Sequence, residues 1–203
     1  MSAFSRIEDL RGVHAGKRLF ILASGPSLGA LDLAPLDRRL VMGLNRSFLL
    51  YPGTHYNCTM DQRLFDLYPE ELGKTRQVFT LEGRPLGIPL TLLGAEGFSL
   101  DLAKGIYSGY TIAYFAMQVA RYMGFTELVY LGLDLKHDRG NTHFFGTDFH
   151  SENHERTEFP RMRRMLEDGA RVLVGHGIRV YNCSPVSSLA GFHSVTYEHA
   201  LGL

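Results

Sequence analysis

The chain alternates between short apolar runs and longer stretches in which apolar residues recur every three or four positions. Six runs are continuously apolar and end at turn-forming or small polar residues, which is typical of buried strands. They span residues 18–23, 40–44, 55–60, 77–81, 127–133 and 177–182. Continuous runs predict strands that are buried on both faces, as in a parallel sheet.

Two helices are predicted between these strands. The first follows Ser108, has apolar residues at 112, 115, 116, 119, 120 and 123 on one face, and can be closed by Gly124. The second covers 157–174, with Pro160 in its first turn, where a missing N–H costs nothing. Its predicted inward residues are Met162, Met165, Leu166 and Leu173. Together the elements predict an α/β fold with an open, mostly parallel sheet and helices on both faces, a Rossmann-like arrangement.

The bulk composition narrows the class of protein. At 203 residues the default is one domain over 1–203. The formal net charge of zero argues against a nucleic-acid surface, which needs clustered cations. The two cysteines are too few for a disulfide framework. The first twelve residues lack a signal-peptide core, and no apolar run approaches an integral membrane segment, so we expect a cytoplasmic protein.

Small polar residues end several predicted strands. In open parallel sheets ligands bind outside the carboxyl ends of the strands, so we expect these residues to share one edge. They are Ser24, Asn45, Asp61, Asp134 and Asn182.

The turn Ser24-Gly25-Pro26-Ser27 is the first candidate anion site. Gly25 lets the backbone approach a ligand closely, and the following helix would offer free N–H groups. The alternative is a plain strand-to-helix turn with Ser27 as the N-cap.

Ser108-Gly109 is the second candidate, because a phosphate fits the positive end of the helix predicted there. The alternative is a simple helix cap. A third polar turn follows the last strand at Asn182 and Ser184, where hydroxyls suit a phosphate or a sugar. An ordinary polar loop is the alternative.

Gly132 and Asp134 precede the segment richest in charged and imidazole groups, which includes Lys136 and His143. Histidine is the natural proton-transfer group near neutral pH. We interpret residues of about 136–158 as a lid carrying a catalytic histidine, with the phenylalanines at 144, 145 and 149 packing the lid or stacking on a base. A solvated loop is the alternative.

A metal site is a further alternative for the lid. His143, His150, His154 and Asp148 could bind a metal, but their spacing matches no zinc signature, so no metal is predicted.

Five short motifs occur in an order that resembles a known family. They are Leu22-Ala-Ser-Gly-Pro-Ser-Leu28, Gly43-Leu-Asn45, Ser108-Gly109, Gly132-Leu-Asp134 and Asn182-Cys-Ser-Pro-x-Ser-x-Leu189. They resemble the bacterial sialyltransferases of glycosyltransferase family 42 and, equally, the related 6-hydroxymethylpterin diphosphokinase-like domains found in lipopolysaccharide biosynthesis proteins. The resemblance covers about residues 18–192.

The resemblance implies roles for individual residues. Asn45 and Ser108-Gly109 match positions that contact the nucleotide in the family, whereas Ser24 and Asp61 stand where the family has asparagine. Lys136 and His143 stand where the family has two phosphate-holding tyrosines. His150 is the nearest match to the family's general base, and His154 is the alternative.

Three functions follow as hypotheses. The first is a glycosyltransferase of surface polysaccharide or lipopolysaccharide biosynthesis, with a nucleotide-sugar donor (CMP-linked by the resemblance), a glycan acceptor, no metal cofactor and assembly into homo-oligomers. The second is a diphosphokinase acting on a pterin alcohol, with Mg²⁺ held by Asp61, Asp134 and Asp148. The third is a nucleotide- or sugar-binding module without catalysis.

Overall fold

The computed structural model describes residues 4–135, 143–146, 152–187 and 189–202, and for 152–156 the backbone alone. The strands are β1 (Arg18–Leu22), β2 (Val41–Leu44), β3 (Tyr56–Cys58), β4 (Gln77–Leu81), β5 (Ile88–Leu90), β6 (Leu92–Gly94), β7 (Ile106–Tyr107), β8 (Glu127–Leu131), β9 (Arg179–Asn182) and β10 (His193–Ser194). The helices are α1 (Ser47–Leu50), α2 (Gln62–Leu67), α3 (Pro69–Lys74), α4 (Ile112–Tyr122), α5 (Glu152–Gly175) and α6 (Tyr197–Gly202). Three short 3₁₀ helices cover Ile7–Leu10, Pro26–Ala30 and Ala34–Arg38.

Eight strands form one open sheet in the order β10-β9-β8-β1-β2-β3-β4-β5, while β6 and β7 pair separately. Every pairing described in the large sheet is parallel. The predicted α/β class is confirmed, and all six predicted strands occur within their predicted bounds. The strand order reverses between β1 and β8, which is where open parallel sheets bind ligands.

Both faces of the sheet are covered, as the continuous apolar runs predict. In β1, Leu19 and Ile21 point into a core shared with α4 and α5. Phe20 and Leu22 point into a second core, which is closed by the 3₁₀ segments and α6. Alternate residues of one strand thus serve two cores, which explains why no polar residue interrupts the run.

Helix α4 departs from its prediction in two ways. It begins at Ile112, with Thr111 rather than Ser108 as the N-cap. It is also buried on nearly all sides instead of along one stripe, and even Gln118 is fully buried. That amide accepts from the N–H of Ser99 at 2.9 Å and donates to the carbonyl of Tyr107 at 2.8 Å, so its polar atoms are satisfied. Gly124, with a φ of 88°, follows the helix end as predicted.

Helix α5 begins at Glu152, before its predicted start at residue 157. The apolar pattern could not show this earlier start, because residues 152–156 are all polar. Pro160 therefore lies inside the helix, and the prediction of a first-turn proline is wrong. Met165, Leu166 and Leu173 are buried as predicted. Although α5 has 24 residues, neither it nor any other helix in the described ranges is long and apolar enough to cross a membrane.

Candidate functional site

A cleft of about 450 Å³ opens at the carboxyl ends of β1, β2, β3 and β8. The first residues of α4 and part of α5 complete its walls. The cleft is lined by Ala23, Ser24, Gly25, Leu44, Asn45, Met60, Asp61, Tyr110, Thr111, Ile112, Ala113, Gly132, Leu133, Asp134, Leu135, His143, Glu158, Phe159 and Met162.

Seven of the sequence-predicted site residues line this cleft. They are Ser24, Gly25, Asn45, Asp61, Gly132, Asp134 and His143. Six others lie beside or beneath it without lining it: Pro26, Ser27, Ser108, Gly109, Asn182 and Ser184. Lys136 and His150 are outside the described residues, and for His154 only its backbone position in α5 is described.

Asp134 accepts hydrogen bonds from two separate turns at the floor of the cleft. It is only 4% exposed, and its carboxylate accepts from the N–H of Ser27 at 2.9 Å and the hydroxyl of Ser27 at 2.5 Å. The hydroxyl of Ser184 donates to it at 2.6 Å. A buried carboxylate needs such donors to offset its lost hydration. Asp134 therefore joins the turns that follow β1 and β9.

Gly25 occupies its position because no side chain fits there. A β-carbon on Gly25 would lie 2.6 Å from the carbonyl oxygen of Gly132 and against the carboxylate of Asp134. The helix that follows is a five-residue 3₁₀ turn whose N-cap is Gly25, so Ser27 is not the N-cap that the alternative interpretation of this turn gave. The N–H of Ser27 is engaged by Asp134, which removes it as a ligand for an anion.

Asn182 and Ser184 support the end of β8 from below. Both are buried, and the amide of Asn182 donates to the carbonyl of Leu133 at 3.3 Å while its oxygen accepts from the N–H of Ser184 at 3.1 Å. Their polar groups therefore hold the turn that carries Leu133 and Asp134.

The first turn of α4 faces the same cleft as Gly25. Thr111 caps it, since its hydroxyl accepts from the N–H of Ala113 at 3.3 Å. Tyr110 to Ala113 line the cleft, whereas Ser108-Gly109 precedes them. The Gly25 turn thus lines the cleft and the Ser108-Gly109 turn does not, because the α4 contribution begins at Tyr110.

Three residues of the cleft have a left-handed backbone. Asn45, Tyr110 and Leu135 have φ angles of 49°, 60° and 43°, and they are the non-glycine residues with positive φ in the described ranges. All three line the cleft. For Tyr110 and Leu135, whose side chains are bulky, this conformation is strained, and such strain clusters at binding and active sites.

The segment His143–Gly146 forms a tight turn whose first residue lines the cleft. The N–H of Phe144 donates to the carbonyl of Ser24 at 2.9 Å. The ring of Phe145 lies 4.8 Å from the ring of His143 and 4.6 Å from the guanidinium carbon of Arg46. These contacts place His143 between the main cleft and a side chamber of about 50 Å³ that Arg46 also lines.

The carboxylates proposed for Mg²⁺ are committed to protein donors. Asp61 caps α2 through the N–H of Arg63 and forms an ion pair with that guanidinium at 2.6 Å. Asp134 accepts from Ser27 and Ser184, and Asp148 is outside the described ranges. Within those ranges no group of three or more His, Cys, Asp or Glu residues is placed to bind a metal. The residues described do not fit a magnesium site.

Sequence reasoning missed the contribution of α5 and of Tyr110. Glu158, Phe159 and Met162 line the cleft from the first half of the helix. Met162 was predicted to face inward, and Glu158 lies one helical turn before it. Extending the helical spacing toward the N-terminus would have indicated Glu158, whereas Tyr110 carries no such signal.

No protein-family model matches the chain, and no curated protein sequence matches it significantly. Two solved structures are similar at 13% identity. The sialyltransferase CstII from Campylobacter jejuni, in complex with a substrate analogue, cytidine-5'-monophosphate, has a TM-score of 0.38 over 90% of this chain and 86% of that one. A variant of sialyltransferase CST-II in complex with CMP has a TM-score of 0.41 over 89% of this chain and 86% of that one. Likeness this remote carries no argument about activity.

The fold and the cleft define an open parallel α/β protein with a cleft where its strand order reverses. Its function has to be inferred from the chemistry of that site.

Proposed function

We propose that this protein is a glycosyltransferase that binds a nucleotide-activated sugar in the cleft. The observation that carries the proposal is the convergence of the Ser24-Gly25 turn, Asn45, Gly132 and the first turn of α4 on one cavity. The N–H groups of Gly25 and Asn45 already donate to the carbonyls of Gly132 and Cys58. The groups that suit a phosphate are therefore the small polar side chains of the cavity and the positive end of the α4 dipole.

The size and walls of the cavity support a nucleotide rather than a bare phosphate. A volume of about 450 Å³ is within the ordinary range for small-molecule sites. Apolar side chains flank the polar floor and could enclose a base or a sugar ring. They are Leu44, Met60, Leu133, Leu135, Phe159 and Met162.

In the proposed reaction an acceptor hydroxyl oxygen bonds to the anomeric carbon of the donor sugar. The bond from that carbon to the phosphate oxygen breaks, its electron pair leaves on the phosphate, and the hydroxyl proton passes to a base. His143, inside the cleft, would stabilise the departing phosphate. His150 stays the proposed base, with His154 as the alternative and Lys136 as a second phosphate-binding cation. More specifically, we propose that the donor is a CMP-linked sugar and that the product is a surface glycan.

The diphosphokinase hypothesis has less support than the transferase. The diphosphokinase needs a metal site that the described carboxylates do not fit. A non-catalytic binding module would use the same cleft, so only an experiment can distinguish it from the transferase.

The first test is a thermal shift with CMP, CDP and ATP, each with and without Mg²⁺. We expect metal-independent stabilisation by a cytidine nucleotide, about 2.7 kcal/mol at one hundred times its dissociation constant. Asn45→Asp keeps a residue tolerant of positive φ but adds a negative charge beside the expected phosphate, and it should reduce the shift. Val174→Asp adds the same charge at an exposed position of α5 as the control.

Each outcome of this test has a meaning. If none of the three nucleotides raises the melting temperature, the proposal is wrong. A shift by ATP that requires Mg²⁺ favours the diphosphokinase. Nucleotide binding with no release of sugar from any tested CMP-linked donor favours the binding module.

A further inference from the structure

Five charged and aromatic side chains form a connected group at the mouth of the cleft. The hydroxyl of Tyr110 donates to Glu96 at 3.1 Å, and Arg164 forms an ion pair with the same carboxylate at 2.6 Å. Arg161 pairs with Glu158 at 3.3 Å, and its guanidinium carbon lies 4.7 Å from the centre of the Tyr110 ring. We call Glu96, Tyr110, Glu158, Arg161 and Arg164 the mouth cluster.

The mouth cluster belongs to the cavity and not merely to the outer surface. Tyr110 and Glu158 both line the cleft, from its α4 side and its α5 side. The Glu158 side chain is 19% exposed, so its carboxylate is largely sheltered while one side still faces the opening. These two residues belong to other segments than Gly25 and Asp134, where the phosphate is expected.

Tyr110 is held in an unfavourable backbone conformation to keep its ring there. Its φ of 60° is strained for an aromatic residue, and the preceding Gly109 has a φ of 59°. The bond to Glu96 and the contact with Arg161 fix the ring from two other segments of the chain. Strain maintained by surrounding contacts is typical of a residue with a binding role.

The charges of the mouth cluster cancel, since two carboxylates face two guanidinium groups. Their planar groups offer both hydrogen-bond donors and acceptors, and the tyrosine ring adds an apolar surface. A ligand with many hydroxyl groups can bond to this cluster without breaking its ion pairs, whereas an anionic ligand would have to compete with Glu158 and Glu96 for the guanidinium groups they already bind. The chemistry of the cluster therefore matches a neutral sugar.

We propose that the mouth cluster is the acceptor subsite, where Tyr110, Glu158 and Arg161 bind a neutral sugar whose hydroxyl faces the donor. This inference rests on the proposed glycosyltransferase function. It assigns the acceptor to the α4–α5 side of the cleft and the nucleotide to the strand ends.

The test measures sugar binding directly, without turnover. Saturation-transfer NMR titrations would use methyl β-galactoside and methyl β-glucoside as neutral probes. The anionic probe would be the methyl β-glycoside of galacturonic acid, with its carboxylate free. Each titration would be run with and without CMP. We expect at least one neutral sugar to bind more tightly than the anionic one. Glu158→Gln and Arg161→Met should each weaken that binding roughly tenfold while leaving the CMP-induced thermal shift unchanged.

Helix α5 provides a matched control in the pair Asp168–Arg171. It has the same three-residue spacing, but neither residue lines the cleft. Asp168→Asn should leave sugar binding unchanged. Tyr110→Phe keeps the ring and removes the bond to Glu96, so it tests the cluster if the charge variants are poorly folded by circular dichroism.

The proposal is overturned if neither neutral sugar binds, if the anionic sugar binds more tightly, or if folded variants of the mouth cluster bind sugar as the parent protein does. In those cases an intact CMP shift leaves the proposed function standing. If none of CMP, CDP and ATP raises the melting temperature of the parent protein, the proposed function itself is wrong.

Discussion

At the scale of single residues, the contact between Gly25 and Asp134 fixes the floor of the cleft. Asp134 was predicted from its place at a strand end to contact a ligand. The structure shows that its carboxylate already accepts from Ser27 and Ser184. Its first role is therefore to hold the turns around the cavity. Gly25 allows the Asp134 carboxylate to lie close to the backbone, because it has no side chain.

Gly25→Ala tests that close approach. The added methyl group would lie 2.6 Å from the carbonyl oxygen of Gly132, so we expect a loss of about 1–3 kcal/mol in the free energy of unfolding. Gly73→Ala, in α3 with no atom within 4 Å, is the control and should stabilise the protein by about 0.5–1 kcal/mol. Urea denaturation measures both, and equal effects would show that space at Gly25 is not limiting.

At the scale of elements, α4 shows how a cap is chosen by tertiary contacts. Ser108 and Thr111 are both good N-cap residues, and the apolar spacing alone does not choose between them. Two contacts hold the chain before the helix. The side-chain amide of Gln118 donates a hydrogen bond to the carbonyl of Tyr107, and Gly109 packs against the Tyr114 ring. These contacts keep Ser108 outside the helix and leave Thr111 to cap it.

Thr111→Ala and Ser108→Ala separate the two caps. Loss of the Thr111 hydroxyl should cost about 1 kcal/mol in the free energy of unfolding, because it leaves the N–H of Ala113 without its side-chain acceptor. Ser108→Ala should cost clearly less. Chemical denaturation of the two variants under identical conditions provides the comparison, and a larger loss for Ser108→Ala would contradict the assigned helix start.

At the scale of the whole molecule, the two edges of the sheet differ in character. The carboxyl edge carries the cleft, whereas the opposite edge carries two partly buried histidines. His14 contacts the Tyr56 hydroxyl at 2.6 Å and packs 4.7 Å from the Phe125 ring. Burial lowers the pKa of His14, helped by Lys17 and His55. Burial also lowers the pKa of His55, helped by Arg76.

These lowered pKa values predict a loss of stability in mild acid. The unfolded chain binds protons near the ordinary histidine pKa of about 6.5, whereas the folded protein binds them only at lower pH. Stability is therefore complete above about pH 6.5 and falls as the pH drops below it. Urea midpoints at about pH 7.5 and 5.5 should show this loss, and His14→Gln with His55→Gln should reduce it.

The same loss between the two pH values in the parent and in the double variant would contradict the assignment to His14 and His55.

The sequence by itself determined the sheet and its class. A strand buried on both faces must be apolar at successive positions, as from Leu19 to Leu22, and the turn residues after it mark its end. Such information is local to each run, so all six main strands could be located. The two- and three-residue strands β5, β6, β7 and β10 escaped, because so few residues carry no usable period.

Only the tertiary structure decided which polar residues face the cleft. Ser27 and Asp134 are 107 positions apart, and nothing in their local sequences shows that they satisfy each other's hydrogen bonds. The same holds for Tyr110, which precedes α4, and Glu158 of α5, which reach the cleft from distant parts of the chain. Hydrogen-bonding groups are chosen by proximity in space, and proximity between distant segments exists only after the sheet and its helices have packed.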